Sequence, residues 1–163
     1  MPTSDSAILE EAERLERLRA RERALQFDSF DHDDAFSVGS HLRDRALEGD
    51  LPIAIAVVFG DQRVFHAGLP GASSDNDDWL ERKFRVVRRY GESSLVIGTL
   101  FRSSGTTFEL SSRLDPALFA AHGGAVPIFV RGSLIGAVGV SGLAQVDDHE
   151  LVLGALEWLQ GEQ

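Results

Sequence analysis

A chain of 163 residues with 43% hydrophobic and 26% charged side chains has the size and make-up of one globular domain spanning 1–163, enough to bury roughly 70% of its unfolded surface. Its formal charge of −10 argues against nucleic acid, whose binding is driven by counterions displaced at a basic surface. The absence of cysteine excludes disulfide staples and thiolate metal sites, and no run approaches the ~20 apolar residues of a membrane helix.

The opening "MPTSDSAILEEAERLERL" has neither the basic segment nor the apolar core of a secretory signal, so a cytoplasmic location is expected. Ile8, Ala12, Leu15 and Leu18 recur at helical spacing, with acids early and arginines late, which predicts an amphipathic helix over about 5–22. Residues 25–30 read as a short extended piece. Residues 33–48 form a second helix, with Ala35, Phe36, Gly39, Leu42 and Ala46 on its apolar side. The period then changes. "LPIAIAVVFG" is short, β-branched and bounded by turn residues, hence a strand, and "GDQR" turns it into a second one, "VFHAGL".

After the loop "PGASSDN", Ser74 or Asp75 is placed to cap a helix from Asp77 to Tyr90, which Gly91 stops. Another helix opens at "ESS" and runs to about Leu100. "FELSS" suggests a further strand, and "DPALFAAHGG" a short helix with proline in its first turn and glycine at its end. "AVPIFVRGSLIGAVGVSG" is two strands joined at Arg131-Gly132. The last helix opens at "DDHE" and turns Leu151, Val152, Ala155, Leu156 and Leu159 inward. Paired strands joined by hairpins, with helices between the pairs, predict an α+β fold on a mostly antiparallel sheet. The last hairpin is apolar on both faces, so it must be covered on both, by helices of this chain or by another subunit.

The segment "RKFRVVRR" holds five of the 16 basic residues and no acid. At 100° per residue, Trp79, Lys83, Val86 and Tyr90 form one stripe and Leu80, Phe84 and Val87 its neighbour, with Arg82, Arg85 and Arg89 on the solvated side. Lys83 therefore lies within an apolar face, where it must snorkel or meet an anion. Just beyond, Ser93 and Ser94 open a helix whose free N–H groups and hydroxyls favour anions. Lys83, the two serines and the Gly123-Gly124 turn after His122 suit a carboxylate, such as a haem propionate or a small organic acid. The same residues equally suit a salt bridge between subunits.

Among the histidines, His122 precedes the glycine pair at a helix end, where a ligand can approach closely and where its charge also suits the helix dipole. His149 sits among Asp147, Asp148 and Glu150 in a first helical turn, an arrangement that caps a helix and also offers a ligand contact. His66 lies in a strand. "DHDD" at 31–34 reads as an acidic helix start. The one-turn spacing of Glu10, Glu13 and Glu16 reads as a solvated face stitched by interleaved arginines. No paired-histidine spacing marks a zinc site, so no metal site is expected. Serine hydrolysis lacks its G-x-S-x-G elbow.

In order along the chain, "DNDDWLERK", "GESS", "HGGAVPI", "GAVGVSGL" and "DDHELV" resemble the haem-degrading domain (GlcG-like) family, in the branch marked by W-x-x-R-K and S-G-L…D-H. The likeness covers about residues 25–160. Trp79, Arg82 and Lys83 match the first motif, Ser93 and Ser94 the serine pair, Gly123 and Gly124 the pair after His122, and Asp148-His149 the terminal pair. The resemblance implies a central antiparallel sheet of about five strands flanked by helices in α-β-α layers, homo-oligomers, and haem or another anionic small molecule as ligand. Three readings follow: an oligomeric small-ligand-binding domain with Trp79, Arg82, Lys83, Ser93, Ser94, His122, Gly123, Gly124 and His149 at its site; a scaffold that joins subunits without a ligand; and an enzyme acting on a small organic acid.

Overall fold

Two hairpins lie side by side to make the sheet. The computed structural model describes residues 4–163. β1 (Ala54–Phe59) pairs with β2 (Gln62–Gly68), and β3 (Ala125–Val130) pairs with β4 (Ser133–Ser141); β1 and β4 then pair with each other. The order is β2-β1-β4-β3, antiparallel throughout. Helices α1 (Asp5–Arg23) and α2 (His32–Glu48) precede the sheet. Helices α3 (Ser74–Tyr90), α4 (Ser94–Ser103) and α5 (Phe108–Ser111) fall between the hairpins, and α6 (Gln145–Glu162) follows them.

Alternation along β1 sorts the core into two layers. Ile55 and Val57 face one side, with Val126, Ile128, Val138 and Val140, against Val38 and Leu42 of α2 and Val152, Leu153 and Leu156 of α6. Ala54, Ala56, Ala125 and Ala137 face the other, and their small side chains let Leu80, Phe84 and Val87 of α3 lie close. Gly139 completes that fit, because a Cβ there would stand 2.8 Å from the Phe84 ring. The two-faced hairpin is thus covered on both sides by this chain's own helices. Outside α3, a further cluster around Val86, Ile97, Phe108 and Ala121 carries α4 and α5, and α1 ties to it through Arg102–Glu11 (3.2 Å) and Arg19–Glu92 (2.8 Å).

The α+β class and the antiparallel sheet match the expectation, with four strands rather than about five. Residues 108–112 are not a strand. Thr107 accepts a hydrogen bond from the Leu110 N–H and caps the short α5 instead. The extended piece at 25–30 contributes a single bridge, Phe27 to Val130, at the outer edge of β3. Residues 115–124 make one turn about Asp115, whose carbonyl accepts from Leu118 and Phe119, and no helix. α3 starts earlier than Asp77: Ser73 caps it and pairs reciprocally with Asn76. Among the described residues, no helix is long and apolar enough to cross a membrane.

Candidate functional site

Beside α3, where the end of β4 meets the start of α6, lies an open cleft of about 240 Å³, lined by Asn76, Trp79, Lys83, His122, Ser141 and Asp148 among others. Its floor follows from the helical phase of α3. Lys83 is on the apolar face and only 3% exposed, so its ammonium needs a partner. That partner is Asp148 of the same chain: Nζ donates to Asp148 Oδ2 at 3.3 Å and to the Val140 carbonyl at 3.1 Å. The anion expected from a ligand or another subunit is therefore supplied within the chain. Asp148 accepts in addition from the backbone N–H of Gly142 (3.3 Å) and of Leu143 (3.0 Å), which moulds the bend from β4 into α6.

Burial acts on both members. It pushes the Lys83 ammonium below its ordinary range, and Asp148 pulls it partly back. It raises the Asp148 carboxyl, against Lys83 and the two backbone donors. An ammonium carries three N–H donors, and Lys83 uses two. Lys83 lines the cleft, and its two bonds to Val140 and Asp148 leave the third N–H for a ligand acceptor.

The walls come from two other elements. Trp79, one turn before Lys83, packs edge-on against His122 at 5.3 Å between ring centroids. Arg82, expected on the solvated side, lies instead over the Trp79 ring at 3.9 Å and pairs with Asp78 at 2.9 Å, so it backs the tryptophan wall. His122 is half exposed, with Nε2 at 3.4 Å from Glu109 Oε1. Gly123 donates its N–H to Gln145 Oε1, and any Cβ there would run into the Gln145 carbonyl. Gly124 has φ +134 and lies so close that a Cβ would stand 2.7 Å from Lys83 Nζ. The glycine pair serves close packing against β4 and α6, and a Cβ at Gly124 would also run into the Val140 carbonyl oxygen.

Three expected site residues lie elsewhere. Ser93 and Ser94 are fully buried. Ser93 caps α4 through the Val96 N–H at 3.1 Å, and Ser94 Oγ accepts from the Ala125 N–H at 3.1 Å, closing that end of the β3 edge. His149 is 0% exposed and turns away from the cleft toward Glu22 of α1, with 3.9 Å between Nε2 and Oε2. Neither ring nitrogen has a hydrogen-bond partner, nor does Glu22 Oε2.

Asn76, Ser141 and Gln145 escape a reading by motif chemistry, and Asp148, a member of the terminal motif pair, has nothing in the linear sequence that links it to Lys83. One signal was available. Of the 16 basic residues, 15 are arginine, and Lys83 is the single lysine of the chain. Among the described residues, no group of three or more metal-ligating side chains is assembled.

Residues 30–157 match a family model described as haem-degrading, HbpS-like protein. The chain is 53% identical over 146 residues to a UPF0303 protein of Streptomyces coelicolor, covering 89% of this chain and 92% of that one. Among solved structures it is similar to the Ybr137w protein, with a TM-score of 0.84, 28% identity, and coverage of 100% of this chain and 99% of the other. A PduOC–haem complex shares the fold at a TM-score of 0.67 and 17% identity, covering 79% and 94% of the two chains.

Proposed function

The chain belongs to the haem-degrading, HbpS-like family, and from that membership we propose that it is a small-ligand-binding protein whose site is the cleft over Lys83. The ligand is a small organic acid. The observation that carries this reading is the buried Lys83, which lines the cleft with one of its three donors unused. Trp79 offers an apolar face and His122 a half-exposed polar edge beside it. A few convergent polar groups on a partly aromatic wall are what small-molecule sites share.

The cleft suits a small acid better than a whole haem, because its volume of about 240 Å³ is below the roughly 300 Å³ at which pockets for drug-sized ligands begin. The glycines that would let a porphyrin approach the backbone are packed against Gln145 and Val140. Calorimetric titration with propionate and with haemin tests the assignment. Propionate binding that Lys83→Met weakens by about tenfold or more is expected, from the loss of a charge-assisted hydrogen bond. Tight haemin binding that competes with propionate and is lost in His122→Ala would contradict it.

Assembly into a homo-oligomer belongs to the same proposal. Phe36 at 65% and Leu110 at 79% exposure leave large apolar side chains in water on a single chain. Light scattering at micromolar concentration should give a multiple of the chain mass, and a monomer throughout would remove this part.

A further inference from the structure

The choice of lysine at position 83 needs a reason. Arginine is the usual residue for a buried ion pair, because its guanidinium is less strongly hydrated and can pair with a carboxylate in two places. This chain uses arginine at every other basic position, including the ion pairs to Glu92, Glu157 and Glu81. At the one buried position beside a cleft it has lysine. An ammonium can do one thing that a guanidinium in a protein cannot: release a proton and become a nucleophilic amine.

We propose that Lys83 forms an imine with a small 2-oxo acid bound in the cleft. The inference rests on the reading of the cleft as a small-acid site, and it names the carbonyl compound as the ligand's class.

The parts are in contact. Asp148 Oδ2, 3.3 Å from Nζ, takes a proton from the ammonium, leaving an amine and a neutral carboxylic acid. The nitrogen lone pair attacks the ketone carbon, and the C=O π pair moves onto oxygen, which receives the proton held by Asp148. The carbinolamine nitrogen, now carrying two protons and a positive charge, gives one of them through Asp148 to the hydroxyl group. Water departs as the nitrogen lone pair forms C=N, and the proton still on nitrogen makes the product the iminium. Ammonium, carboxylate and ketone have become iminium, carboxylate and water, with charge and atoms conserved. The cation beside Asp148 is retained, so the buried pair is never left with one charge alone.

Two features of the structure favour this step. Burial lowers the lysine and raises the aspartic acid, so the proton transfer that frees the amine is easier than between exposed groups. Lys83 lines the cleft together with Trp79 and His122, which brings a bound ketone within reach of Nζ. The carboxylate of the 2-oxo acid is then left to the other polar groups of the lining, among them His122 and Ser141.

A chain with one lysine permits a clean test, since its only primary amines are Lys83 and the N-terminus. Wild-type protein is incubated with pyruvate, reduced with borohydride and mapped by peptide mass, with and without propionate as a carbonyl-free competitor. The expected result is a reduced adduct on the Lys83 peptide that propionate, at about ten times its Kd, suppresses about tenfold, while any N-terminal adduct is unaffected. Lys83→Arg should leave that peptide unlabelled. An unlabelled Lys83, or label indifferent to propionate, overturns the imine. If propionate still binds by calorimetry in that case, the small-acid site stands without it. If propionate fails to bind as well, both fall.

Discussion

Asp148 and His149 are neighbours on α6, and each meets a titratable side chain from another helix in a buried place, yet the two pairs are built in opposite ways. Asp148 faces the cleft, and each of its oxygens has a partner: Lys83 and the Gly142 N–H at one, the Leu143 N–H at the other. His149 faces Glu22 at 3.9 Å with no hydrogen bond on either ring nitrogen. The first pair keeps its charges because the partners offset the loss of water. The second avoids charge. Burial holds His149 down to about 4, so the ring is neutral, and pushes Glu22 up to about 7, with Ser93 pulling it partly back. A buried polar pair next to a cleft thus carries fixed charge for a ligand to meet, while the pair behind it answers to pH.

This contrast orders the expected effects of mutation. Lys83→Met should be the most damaging, because it leaves Asp148 ionised and buried without its counter-ion. A loss of about 3–5 kcal/mol in denaturant unfolding at neutral pH is expected, and a change within 1 kcal/mol would place the aspartate in water.

Glu22→Gln should act in the other direction, and only at higher pH. An unfolded glutamate ionises near 4.5 and the folded one near 7. The contribution of this carboxyl is therefore fully present below pH 4.5 and is lost as pH rises through about 7. A shift of that size corresponds to about 3 kcal/mol. Relative to wild type, the glutamine variant should gain about 2–3 kcal/mol between about pH 5.5 and pH 8.5, and parallel stability curves would show that Glu22 is solvated.

His149→Leu should be the mildest at neutral pH, within about 1 kcal/mol, since it replaces an unpartnered neutral ring by an apolar group of similar reach. Its signature lies in acid. The wild-type histidine contributes stability that is present above 6.5 and lost as pH falls through about 4. The variant should lack that part of the acid slope, and an unchanged slope would assign the titration to another group.

Much of this architecture is legible in the chain because it rests on local periodicity. The alternation of β1, the glycine turn at Arg131-Gly132 and the apolar stripe that places Lys83 inward all depend on neighbours within a few residues. The reading fails where a distant contact or a cap decides. Phe108 suggests a strand, yet Thr107 caps a helical turn there. Residues 115–124 lack a long enough apolar stripe to hold a helix and follow Asp115 instead. Asp148 reads as a helix-start acid, and its pairing with Lys83 spans 65 residues, so no local pattern announces it. Ser93 and Ser94 have the right chemistry for an anion, but α4 and the β3 edge use it internally. The missed clue was compositional: one lysine among 15 arginines.

That single lysine also makes the cleft directly observable. Protein labelled with nitrogen-15 only in lysine carries one side-chain ammonium resonance, from Lys83. Titration with propionate should shift this resonance along a saturable curve, because the third N–H of the ammonium gains an acceptor. A resonance that stays in place up to the highest soluble propionate concentration, in protein whose fold is intact, would contradict a ligand site over Lys83.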